Sequence, residues 1–169
     1  MKNITTPFIT RTRLLAVLTI TCLSLGFTGA QAGDDRHPDN DNGNHERFLL
    51  ISFDENFTGN TTIDGTTTLA GAFSDKGPRH QDFTTIQHGN VVTVTGTVHI
   101  TGSLGTLDTQ FRGDIPAGPN ITRIEGIEHI TGGTGVYAGA RGNGTFEATI
   151  DFTTGNIVGV AELNVRMGH

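Results

Sequence analysis

The chain has 169 residues, with 11 basic and 17 acidic side chains and a formal charge of −6 at pH 7. That shortage of cations argues against a nucleic-acid binder, because affinity for phosphate needs clustered Lys and Arg. From residue 33 onward there are 22 Gly and 21 Thr against 6 Leu and 7 Ala, a supply suited to strands and turns that excludes a helical bundle.

Residues 1–32 have the order of an export signal. Lys2, Arg11 and Arg13 come first, an apolar run from Leu14 to Phe27 follows, and Ala30-Gln31-Ala32 makes a small-residue cleavage site. Cleavage is predicted after Ala32, which places the protein in the periplasm or the medium. The run is interrupted by Thr21, Ser24 and Gly26 and is short for a hydrocarbon core about 30 Å thick, so no membrane attachment is expected once the signal is removed. Removal takes three cations and no anions, which moves the formal charge to −9. It also takes Cys22, the single cysteine. Thiol nucleophiles, disulfides and Cys-ligated zinc are thereby excluded from residues 33–169.

Residues 33–46 are predicted to be a disordered acidic linker, because GDDRHPDNDNGNH has no large apolar side chain to offer a core. Asp34, Asp35, Asp39 and Asp41 with His37 and His45 are oxygen- and nitrogen-rich, but Gly43 stands where a calcium loop would need a ligand. No metal and no cofactor is expected.

A single domain is expected over 47–169, where the apolar residues recur with period two. Strands are predicted near 47–55, 62–73, 82–87, 91–101, 106–115, 122–131, 142–152 and 157–167. Gly144, Phe146, Ala148, Ile150 and Phe152 form one dry face, with Thr145, Glu147, Thr149 and Asp151 opposite, and Val92, Val94, Gly96, Val98 and Ile100 repeat the pattern. Gly155 in the Thr-Thr-Gly-Asn connection at 153–156 is free to take positive φ. Eight consecutive one-sided strands leave two edges if the sheet stays open, and closure removes both. The expected fold is therefore an all-β, eight-stranded antiparallel closed barrel. Gly96, Gly113, Gly126, Gly144 and Gly159 on inward faces would permit its coiling, and a two-sheet sandwich fits the same periodicity. In the first strand Phe48 and Leu50 run out of phase with Leu49, Ile51 and Phe53, which suggests a covered outer face and a homo-oligomer.

The segment 132–144 is rich in glycine. Gly133-x-Gly135-x-x-Ala138 loosely fits a dinucleotide fingerprint, but Gly139, Gly142 and Gly144 prevent the crossover helix that such a site requires. A short helical turn near 134–140 is expected instead, with Val136 and Tyr137 plugging one end of the barrel. Eight Phe and one Tyr without Trp after residue 33 point to aromatics used for burial, not for stacking on sugars or bases.

The run GGTGVYAGARGNGTF at 132–146, followed by a strand, Thr-Thr-Gly-Asn and a last strand, resembles the allene oxide cyclase-like and dirigent-like barrel superfamily, particularly its secreted bacterial members. GNVVTVTGTVHITGSLGTLDTQFRGDI at 89–115 is similar to those chains as well. The resemblance covers 90–169 well and 47–89 loosely. It implies an eight-stranded, calycin-like barrel whose cavity holds an apolar small molecule and in some members steers cyclisation by holding a substrate in one shape.

Among candidate residues Glu128 stands out. If Ile124, Gly126 and Ile130 face inward it does too, and a carboxyl inside an apolar barrel has a raised pKa and can act as general acid or base. The other placement is at the rim, solvated or paired with Arg123 or Arg141. Phe53, Val94, Phe111, Ile124, Tyr137 and Phe146 are predicted to line a ligand cavity; for Tyr137 the competing placement is packing with its hydroxyl at the surface. His80, His88, His99 and His129 lack metal-site spacing and are expected to face solvent. Two functions stay open: an apolar-ligand barrel, cyclase or isomerase included, and a non-enzymatic extracellular module with a filled barrel.

Overall fold

A computed structural model describes residues 46–118 and 120–168. The leader, almost all of the linker and Cys22 lie outside the described residues. Within them the chain forms eight strands: β1 (Arg47–Phe57), β2 (Thr62–Gly71), β3 (Asp75–His88), β4 (Val91–Gly102), β5 (Gly105–Pro116), β6 (Ile121–Gly133), β7 (Arg141–Asp151) and β8 (Asn156–Arg166). Each pairs antiparallel with the next. β1 also pairs with β8, from Arg47↔Val165 to Asn56↔Asn156, so the barrel is closed and no edge is left. This is the architecture expected from the periodicity, and the sandwich is set aside. No described helix is long and apolar enough to cross a membrane.

The alternation sorts side chains as the sequence predicted. Leu49, Ile51 and Phe53 on β1, Val94, Val98 and Ile100 on β4, and Phe146, Ala148 and Ile150 on β7 are all buried. Where three rings cross the interior, the wall beneath them is glycine. A Cβ on Gly96 would strike Phe111, one on Gly126 would strike Phe146, and one on Gly159 would strike Phe53. The inward glycines thus give room to aromatic side chains as well as curvature. Asp108 and Thr109 oppose Gly132 and Ile130, so Thr131 is the extra residue of a bulge that brings Gly133 opposite Leu107.

Three expectations need correcting. β3 begins at Asp75, not near residue 82. Its first half has Asp75, Arg79 and Gln81 inside and contains Gly77-Pro78, so it carries no apolar alternation. Its ladder to β4 begins only at Arg79, which leaves Pro78 at the margin of that pairing. Phe152 lies beyond the end of β7 and is 47% exposed, because the turn to β8 carries it to the rim, where it stacks on Phe57. Val136, expected to plug the barrel end with Tyr137, is 42% exposed, whereas Phe48 is half exposed on the outer face where its phase in β1 puts it.

The two ends of the barrel differ. Connections 134–140, 103–104 and 72–74 lie at one end, which the 3-10 turn Gly135–Tyr137 closes. There Leu49, Leu69, Ile100, Leu107, Tyr137 and Leu163 are each at most 1% exposed. At the other end the turns β1–β2, β3–β4, β5–β6 and β7–β8 surround an opening.

Candidate functional site

The interior half nearest that opening is hollow. A cavity of ≈ 380 Å³ runs down from a mouth bordered by Phe57, Asn60, Thr85 and Phe152. Its apolar wall includes Phe53, Val94, Phe111, Ile124 and Phe146, one each from β1, β4, β5, β6 and β7. Five of the six predicted lining residues are therefore there.

Tyr137 is not. It lies at the closed end, buried, edge-on to Phe73 with ring centroids 4.9 Å apart. Its hydroxyl reaches neither cavity nor surface; it donates to Asp75 Oδ2 at 3.0 Å. Asp75 also accepts from the backbone N–H groups of Lys76, Ser103 and Leu104 and from the Ser103 hydroxyl. Burial pushes the Asp75 carboxyl up, but these donors outweigh it and hold it well below the usual carboxylate range. Burial first, and then the neighbouring carboxylate, raise the Tyr137 hydroxyl above its ordinary value. Tyr137 is thus a structural plug, because its partner comes from the β2–β3 corner and locks three connections together.

Glu128 is inside the barrel, 1% exposed, and lines the cavity. It accepts the Thr109 hydroxyl at 2.5 Å. The rim placement is excluded: Arg123 pairs with Glu125 and Glu147, and Arg141 donates to the Ala140 carbonyl. Its surroundings are not simply apolar, however. Glu55 on β1 and Arg79 and Gln81 on β3 are also buried; Arg79 and Gln81 join Glu128 as a polar floor on the cavity lining, with Glu55 behind Arg79.

Arg79 Nε lies 2.9 Å from Glu55 Oε1, an ion pair whose N–H is not aligned on the oxygen, and Gln81 donates to Glu55 Oε2. The Arg79 guanidinium carbon is 4.2 Å from the Phe53 ring centroid. Burial raises the Glu55 carboxyl above its ordinary value; the Arg79 charge and the Gln81 hydrogen bond oppose that, and the Glu128 charge adds to it. Taking such ions out of water is costly unless each is paired and hydrogen-bonded, so four polar groups here need a reason that packing does not supply.

Glu55, Arg79 and Gln81 were missed in the sequence. For Glu55 the signal existed, since it continues the inward series Leu49, Ile51, Phe53. For Arg79 and Gln81 it was weak: only Phe83 fixes their phase. His99 and His129 are exposed on the outer face as expected, and His80 and His99 are bonded to Asp64 and Asp108. Among the described residues, no three His, Cys, Asp or Glu are placed to hold a metal ion.

No family model and no curated protein matches the chain. Among solved structures, the chain is similar to a pterocarpan synthase dirigent protein, at 17% sequence identity over 81% of this chain and 100% of that one, with a TM-score of 0.45.

Proposed function

We propose that this barrel binds one small, predominantly apolar molecule in its cavity and orients it against the Arg79, Gln81 and Glu128 floor, in a protein exported by the leader-like residues 1–32. One observation carries the reading: a hollow of ≈ 380 Å³ with an apolar wall and a few converging polar groups at its base. Small-molecule sites have that make-up and volumes of about 300–1,000 Å³. A barrel that served only as a scaffold would gain stability from filling this space with side chains.

The test uses N-phenyl-1-naphthylamine, a neutral fluorophore that brightens in apolar surroundings. Saturable binding at one site per chain is expected, and Ala148→Phe, which projects a ring from the wall, abolishes it. Absence of saturable binding, or equal binding by the filled variant, would defeat the proposal.

Cyclase or isomerase chemistry is a second reading, favoured by a buried carboxyl, Glu128, on the cavity surface. Holding a substrate in one shape lowers the barrier, and Glu128 transfers a proton. With a substrate identified, Glu128→Gln should leave binding intact and slow turnover by about 10²–10⁴-fold; unchanged turnover removes this role.

A further inference from the structure

The polar floor indicates which chemistry the bound molecule brings. Arg79 is on the cavity lining; its buried Nη1 has no partner and its buried Nε touches Glu55 without an aligned hydrogen bond. A guanidinium has five N–H donors and no acceptor. One face of the group is covered by the Phe53 ring, so further partners must approach its edge. Neighbouring Gln81 spends its amide on Glu55, and Thr109 spends its hydroxyl on Glu128. Among the described residues Arg79 has the Glu55 carboxylate beside its Nε and no hydrogen-bond acceptor at its Nη1.

The charges limit that acceptor. Glu128 and Arg79 are the charged residues among those lining the cavity, and Glu55 stands behind Arg79. One guanidinium thus stands among two carboxyls, Glu55 in contact with it and Glu128 on the same cavity lining. With both ionised the group is net negative, and with a proton on Glu55 it is neutral. A ligand carboxylate would add a second or third anion around a single cation in a desolvated site, where like charges repel strongly. A neutral oxygen meets the Arg79 donors without that penalty.

We propose that the ligand is an apolar molecule bearing a neutral hydrogen-bond acceptor, a carbonyl or ether oxygen, seated on Arg79, and that the floor selects against carboxylates. This rests on the cavity being a ligand site, as proposed above.

Three probes of nearly one shape test it on the full barrel: 2-acetonaphthone, 2-isopropenylnaphthalene, in which a methylene replaces the ketone oxygen, and 2-naphthoate. At pH 7.5 the ketone should bind about tenfold or more tighter than the alkene, the difference expected of a hydrogen bond from a charged donor, and tighter than the carboxylate. The carbonyl stretch of bound ketone should fall below its value in hexane. Arg79→Met should reduce ketone affinity to that of the alkene, while alkene binding, which reports an intact cavity, persists. If that variant does not fold, the ranking of the three probes and the carbonyl band decide. Equal binding of ketone and alkene, preferred binding of 2-naphthoate, or a hexane-like carbonyl band would overturn the inference while leaving the cavity as a binding site. Failure of all three probes, with N-phenyl-1-naphthylamine also unbound, would remove that site and the inference together.

Discussion

The Tyr137 hydroxyl donates to the Asp75 carboxylate across 62 positions of sequence, and the pair closes one end of a barrel whose other end is open. Asp75 starts β3 and Tyr137 ends the 3-10 turn between β6 and β7. The bond therefore fastens connections that the strand ladder leaves independent.

Tyr137→Phe keeps the ring against Phe73 and removes that bond. The melting temperature should fall by about 3–6 °C, followed by circular dichroism, and N-phenyl-1-naphthylamine affinity should be unchanged because the plug is remote from the cavity. A loss of probe binding would show that the two ends are coupled.

Asp75 also predicts an acid limit. Its folded-state pKa is depressed below the ordinary 3.8, so its contribution to stability is present above that value and is lost as the pH falls through it toward the lower folded value. Asp75→Asn should be less stable than wild type at pH 7, and its stability should vary less between pH 5 and the acid transition. Urea unfolding at a series of pH values checks this, and parallel curves for the two proteins would refute it.

The ion pair on the cavity floor should behave as a unit. Glu55→Gln leaves the Arg79 guanidinium buried without a counter-charge and should cost about 3–5 kcal/mol. Arg79→Met leaves Glu55 buried, where burial and the Glu128 charge already raise its pKa. It should be the milder change, because a carboxyl can take up a proton and a guanidinium cannot lose one. The double variant should be more stable than the sum of the two single losses implies, which a double-mutant cycle by chemical denaturation measures.

Gly126→Ala tests the close approach of wall and ring. An added methyl would meet the Arg112 carbonyl, Gly113 Cα and Phe146 Cε1. Two of these are backbone and cannot swing away, so the change should destabilise by about 1–3 kcal/mol. It should also shift Phe146 into the cavity and weaken probe binding.

Much of the barrel was legible in the chain because alternation is a local property. Val92 to Ile100 and Gly144 to Ile150 declare their two faces without reference to any partner, and closure follows from eight such strands with nowhere to leave an edge. The same rule failed over residues 75–81. There the inward positions are Asp75, Arg79 and Gln81, and a test for apolar residues on the inside assigns such a strand to a loop. Predicting Tyr137 in the cavity failed for a related reason: the turn was recognised, but which end it closes depends on the strand connections.

By itself, then, the sequence determined the period, the number of strands and the apolar wall to which Phe53, Val94, Phe111, Ile124 and Phe146 belong. Only the tertiary structure decided that the wall stops short of filling the barrel and that Glu55, Arg79, Gln81 and Glu128 come together beside it. Apolar residues reveal themselves by repetition along one strand, whereas a buried polar group is stabilised by partners from other strands, and those become known only when the register around the barrel is set.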